Sequence, residues 1–179
     1  MLYFSSSPWS KLPMEFKSMV LLYISLGTSL IPLLWMGICV LLRVVTDIEM
    51  PSKAERFWPL LLSCITSFVT GAIAQYRWEL SESLIGIVFG TFSVLLAALI
   101  ITPFWKISIH SMGLGALLCF TITVGRHLNI DVGMGLYCIV FLSGLVGWAR
   151  LYLIAHDVYQ IIIGYMVGFT CMHCTLLIL

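Results

Sequence analysis

The sequence predicts an all-α polytopic membrane protein, a bundle of six transmembrane helices, and three observations predict it. Hydrophobic residues fill 61% of the 179 positions and charged residues only 9%, with a mean hydropathy of +1.08. A soluble domain of this size could not hide so much apolar surface. The apolar residues fall into six runs, each about twenty residues long, as a hydrocarbon core of roughly 30 Å requires. Tryptophans stand near the ends of those runs, where aromatic side chains anchor a helix at the interface. The net charge of +1 excludes a strongly basic nucleic-acid binder.

Residues 1–18, MLYFSSSPWSKLPMEFKS, are polar and aromatic and carry Pro8 and Pro13. They lack the basic, apolar, small-residue order of a cleaved signal and read as an interfacial lead-in. A single six-helix domain over 19–179 follows. Its first span, 19–45, is long and contains Pro32, which predicts tilt or a kink. The remaining spans are 57–74, 84–102, 107–125, 132–149 and 158–179. A helix suits each because it satisfies its own backbone groups in lipid. Trp58, Trp105 and Trp148 mark ends on one side of the membrane and Trp78 an end on the other.

Small residues collect in the later spans, and Gly164 and Gly168 form a small-xxx-small surface that lets helices approach closely. The six cysteines, Cys39, Cys64, Cys119, Cys138, Cys171 and Cys174, all lie in apolar runs. That placement suits packed thiols rather than a disulfide framework. Cys171, His173 and Cys174 stand together near the end of the last run, but no second pair has ligand spacing. No metal and no cofactor are expected.

Counting crossings decides which loops share a face. Segments 43–56, 102–110 and 150–156 are separated by two crossings each and emerge together. Both termini and segments 75–83 and 126–131 emerge opposite. The shared face holds Lys53, Arg56, Lys106, Ser108, His110, Arg150, His156 and Gln160. Ionisable groups at a membrane boundary are expensive and commonly line a site. Here cations dominate, and histidines open helices, whose N-termini favour anions and phosphate in particular. Arg150 offers a planar fork for phosphate oxygens, and Lys53 or Lys106 a compact charge. The expected ligand is a phosphate at the lipid surface.

In ARLYLIAHDVYQIIIG the pattern resembles the third signature of the type 2 phosphatidic acid phosphatase superfamily. There a Ser-Arg pair is followed, after five residues, by His and four beyond it by Asp; Arg150 and His156 match. KISIH resembles the second signature, Pro-Ser-Gly-His, through Ser108 and His110. SKAERFWP is a contracted counterpart of the first, with Lys53, Arg56 and Pro59. The resemblance covers residues 53–169 in the family's order and implies a compact bacterial-type membrane enzyme. Such an enzyme hydrolyses a lipid phosphomonoester or pyrophosphate without a metal.

By position, the resemblance makes His156 the nucleophile that becomes phosphohistidine, and His110 the acid that protonates the leaving alcohol. Lys53, Arg56, Ser108 and Arg150 would hold phosphoryl oxygens, with Gln160 and Lys106 in support. Departures from the signatures are Ala149 for the serine, Gln160 for the aspartate, and Ile107 and Ile109 for proline and glycine. Gln160 can accept a hydrogen bond from His156 but cannot offset a developing positive charge. These departures motivate an alternative, a catalytically impaired relative that binds a phosphorylated lipid or a membrane partner. A transporter or helical scaffold would instead hold Arg150 and His156 far from His110.

Orientation follows from the remaining charges. Lys53, Arg56, Lys106 and Arg150 belong to the site, which leaves Arg43 against Lys11, Lys17, Arg77 and Arg126. The positive-inside tendency then puts both termini in the cytoplasm. The site faces the exterior or periplasm, in a bacterial inner membrane by the family resemblance.

Overall fold

A computed structural model describes residues 13–43, 45, 53–78, 80 and 82–178, without the side chains of residues 53, 54, 82 and 83. The described residues form helices and no strand. In chain order these are α1 (Met14–Ser25), α2 (Ile31–Leu41), α3 (Lys53–Trp78), α4 (Glu82–Ile101), α5 (Ile109–Leu128), α6 (Gly133–Tyr152) and α7 (Val158–Ile178). A π-helical turn, Leu26–Leu30, joins α1 to α2, so that together they make one span. Six helical segments are long and apolar enough to cross a membrane, and the chain is an integral membrane protein with the expected six-helix architecture.

The first span departs from expectation at both its start and its middle. Helix begins at Met14, directly after Pro13, so the helical part of the expected lead-in starts there; residues 1–12 lie outside the described residues. Proline has no N–H to donate, and its ring crowds the carbonyl four residues earlier. Near Pro32 the chain answers with the wider π turn rather than a break. Gly27 in that turn lies so close to α3 that a Cβ there would overlap the Thr70 side chain. At the same end of the bundle as the start of α1, Trp78 meets Tyr23 edge-on at 5.0 Å and Phe16 at 6.4 Å.

The centre of the bundle belongs to α5 and α7, which run parallel along a glycine seam. A Cβ on Gly115 would strike the Tyr165 carbonyl, and one on Gly168 the Met112 carbonyl. One on Gly164 would lie 2.9 Å from the Ser108 carbonyl oxygen. The Gly164–Gly168 surface therefore brings backbone to backbone. On its other side α7 packs on α4, where Gly90 receives Met172 and Gly86 receives Leu176. A core of Leu60, Val94, Ala98, Ile107, Met112, Ala116, Cys119 and Met172 fills the space between these helices. By contrast α6 is peripheral: it packs on α5, and the Tyr165 hydroxyl of α7 donates to its Ser143 carbonyl at 2.6 Å.

Candidate functional site

The N-termini of α3, α5 and α7 and the C-terminus of α6 meet at one end of the bundle, and each brings a polar side chain. The α5 contribution starts with Ser108, whose extended backbone makes it the N-cap. Its hydroxyl oxygen accepts from the Ser111 backbone N–H at 3.4 Å and from the Ser111 hydroxyl at 2.9 Å. Both serines are fully buried. Serine is favoured at this position because it satisfies an amide that has no helical partner. The Ser108 N–H in turn donates to the Gln160 carbonyl at 3.3 Å, which ties the start of α5 to the start of α7.

Two residues after Ser108, His110 is exposed at the mouth of the site. Arg150, in the last turn of α6 rather than in the following loop, places Nη2 3.0 Å from His110 Nδ1 and 2.8 Å from Nε2. A guanidinium can only donate, so His110 meets it with ring electron density rather than with a proton.

The link from Arg150 to His156 is a tight helix stop. The Ala155 N–H donates to the Arg150 carbonyl at 3.1 Å, and the Ile154 N–H to the Leu151 carbonyl at 3.0 Å. This pairing is the Schellman arrangement, in which the residue past the helix end turns left-handed. Here that residue is Ile154, at φ 52°, where a β-branched side chain is strained and glycine is usual.

His156 comes next, before α7 begins, and is only 9% exposed. Its Nδ1 lies 2.8 Å from Gln160 Oε1 and 3.2 Å from the Lys106 carbonyl oxygen. Both partners only accept, so Nδ1 carries the hydrogen and Nε2 keeps its lone pair. Burial, then the charge of Arg56 and that of Lys106, hold the imidazole below its ordinary pKa, against the opposing hydrogen bonds to Gln160 and the Lys106 carbonyl. It is therefore neutral at neutral pH.

Gln160 accepts from His156 directly, as expected, and a cap made with Asp157 positions it. Asp157 Oδ1 accepts from the Gln160 N–H at 2.8 Å, and Gln160 Oε1 faces the Asp157 N–H at 3.4 Å. This reciprocal capping box opens α7 and aims the amide oxygen at the imidazole. The exposed Asp157 carboxylate caps the helix and does not replace the aspartate missing at position 160.

Arg56 enters from α3 and is 3% exposed, with Nη1 3.4 Å from the Ile107 carbonyl oxygen. A guanidinium so deep at a membrane boundary is costly unless it has work to do or partners to meet. Arg56 feels the charge of Arg150, and His110 and His156 feel its own, so these groups share one enclosure. Lys106 adds its charge beside His156. Lys53 opens α3, but its side chain lies outside the described residues.

The structure thus gathers Arg56, Lys106, Ser108, His110, Arg150, His156 and Gln160, and His110 and Arg150 touch. Residues unforeseen are Ser111, which holds Ser108, and Asp157 as a cap. The spacings Ser108-x-x-Ser111 and Asp157-x-x-Gln160 ahead of apolar runs were their available signals. The arrangement offers an anion several fixed donors, with one neutral imidazole nitrogen alongside. The chain matches no family model, no curated protein and no solved structure, so the geometry itself must carry the functional reading.

Proposed function

We propose that this protein is an integral-membrane lipid phosphatase that hydrolyses a phosphomonoester or pyrophosphate through a phosphohistidine. The observation that carries the reading is His156. Its Nδ1 is committed to Gln160 Oε1 and the Lys106 carbonyl, which leaves Nε2 as a neutral nucleophile beside the charges of Arg56 and Lys106. The resemblance of KISIH and ARLYLIAHDVYQ to phosphatidic acid phosphatase signatures supports the same assignment.

The reaction runs in two displacements. The phosphoryl group enters among Arg56, Arg150 and Ser108, and Arg150 turns from His110 to the phosphoryl oxygens. His110 is then free to take a proton from solvent. His156 Nε2 forms a bond to phosphorus as the bond from phosphorus to the lipid oxygen breaks, and His110 gives its proton to that oxygen. Water next attacks the phosphohistidine, His110 accepts the water proton, and phosphate leaves with His156 restored. The guanidinium groups act where charge builds on the equatorial oxygens. The charge asymmetry supports a site that faces the exterior, and the family resemblance a bacterial inner membrane, with the site toward the periplasm.

The test is phosphate release from a panel of lipid phosphates by the purified full chain in detergent. Wild type should turn over at least one substrate, and His156→Ala should reduce its rate by on the order of 10⁴ or more. Folded wild-type protein that releases no phosphate from any of them would overturn the reading.

A second reading, a relative that binds lipid phosphate without turnover, is favoured by one feature, the neutral Gln160 amide where the signature has a carboxylate. It calls for binding that weakens in Arg150→Ala, no release by wild type, and none in Gln160→Asp. Any wild-type turnover removes it.

A further inference from the structure

Among the described residues, three other than glycine hold a left-handed backbone just past a helix end: Arg43 at φ 57°, Asn129 at φ 52° and Ile154 at φ 52°. Asparagine tolerates this conformation, and a β-branched side chain resists it. Ile154 nevertheless stands at the third stop, and at 90% exposure its side chain gains little from packing within the chain. What offsets the strain lies outside the protein.

The loop around Ile154 has two properties that suit a lipid surface. The first is composition. Leu151, Tyr152, Leu153 and Ile154 are all exposed, and no charge stands between Arg150 and His156. Trp148 stacks on Tyr152 at 5.5 Å just before the loop, and exposed Tyr159 follows it in the first turn of α7. Aromatic side chains of this kind gather at the headgroup level, so the loop they flank lies at that level too. The second property is the backbone. The N–H groups of Leu153 and Ile154 donate to the carbonyls of Ala149 and Leu151, and those of Ala155 and His156 both donate to the Arg150 carbonyl. No amide in this run is left to water, as a segment entering an apolar layer requires. The loop at the opposite end of the bundle, 126–131, is built otherwise, with Arg126, His127, Asn129 and Asp131.

We infer that the loop between α6 and α7 is seated in the bilayer, with Leu153 and Ile154 inserted at the boundary between headgroups and acyl chains of the leaflet around the candidate site. The partner is lipid, because the loop offers neither a charge nor an unpaired amide for a specific contact, and interfacial aromatics stand on both sides of it. The inference does not depend on the phosphatase reading. Its consequence is positional. Arg150 and His156 stand at the two ends of the loop, joined through the Arg150 carbonyl, so the depth of the loop fixes the level at which the site meets the membrane.

The test uses the full chain in phosphatidylcholine nanodiscs. An azide-bearing phenylalanine replaces Ile154, Leu153 or, for comparison, Asp131 in the opposite loop, and carries a fluorescent dye attached through the azide. Quenching is read with aqueous iodide and with phosphatidylcholine that bears a nitroxide high on its acyl chain. Dyes at 153 and 154 should be quenched by the nitroxide lipid and escape iodide, and the dye at 131 should show the reverse. Ile154→Asp should restore iodide quenching at 153, because a carboxylate resists the apolar layer, while the melting temperature stays near that of the unsubstituted chain. Ile154→Gly, which removes the side chain and the strain together, should keep the fold and weaken nitroxide quenching at 153. Strong iodide quenching at both 153 and 154 in folded protein would overturn the inference. Shielding from both quenchers would overturn it as well, since protein would then cover the loop, and so would a collapse of melting temperature in Ile154→Asp, which would show the side chain packed within the chain.

Discussion

Glycines are frequent in both the α5–α7 seam and α6, yet they do opposite things there. In the seam, Gly115, Gly164 and Gly168 sit against the backbone of the facing helix. On α6, Gly135 and Gly144 face open space, with nothing within 4 Å of an added Cβ. Only 6% of the spanning window of α6 is buried, against 22% for α7 and 33% for α5. The difference teaches that this site is mounted on two kinds of support. His110, Ser108, His156 and Gln160 ride on the tightly packed pair, while Arg150 rides on a helix with few packed neighbours. The group that the proposed reaction moves from a histidine to a phosphoryl oxygen is carried by the element that packs least.

The sharpest way to break this contrast is Gly168→Leu. The new side chain meets the Met112 backbone, which cannot yield as a side-chain tip can. Overpacking of this kind costs about 3 kcal/mol or more, so thermal unfolding in detergent should show a large loss of stability or no folded monomer.

Next in size is Arg150→Ala, which should lower phosphate release by about 10²- to 10³-fold, the usual worth of one donor to a developing oxyanion. Its melting temperature should stay close to wild type, because α6 adds little to the core. A collapse of stability in this variant would erase the distinction between the two supports.

The pH profile sharpens the comparison on the seam side. In the proposed reaction neutral His156 attacks, and its pKa is lowered, so activity should persist as pH falls and be lost only on passing through that lowered value. The acid limb of kcat/KM should therefore lie below about 6.5, the ordinary histidine value. The unfolded chain binds this proton first as pH falls, so His156 also contributes to loss of stability in the same acid window. An acid limb above 6.5 would mean that another group controls the rate.

Smallest of all is Gly144→Leu on α6. It should change stability by no more than about 0.5 kcal/mol, as substitutions with no packed neighbour do, and leave turnover intact. A large effect would show that α6 has a partner along that face.

The fold was legible because lipid leaves so few ways to satisfy a backbone, and six apolar runs of spanning length translate directly into helices. Their ends were harder. Polar residues such as Glu15, Lys17 and Arg77 extend helices beyond the apolar run, since hydrogen bonding along a helix does not stop where hydropathy does. The π turn could not be read, although Pro32 marked the neighbourhood, because a bend, a break and a widened turn share that sequence signal. At the site, crossing parity and the spacing of Ser108, His110, Arg150 and His156 placed these residues on one face. The hydrogen bond between His156 and Gln160 was foreseen; the capping box with Asp157 that aims the amide oxygen was not, since the histidine precedes the helix. The depth of Arg56 was also hidden, because a guanidinium that snorkels and one that is enclosed have the same letter and the same neighbours in sequence.

The central position of α7 bears on biogenesis. Its partners α4 and α5 both precede it in the chain, so they must be threaded into the bilayer with Gly90 and Gly115 still uncovered. The pocket end stays open until synthesis reaches Gln160, whose carbonyl draws in the Ser108 amide. During that interval the glycine groove faces lipid, and the arrival of α7 covers it.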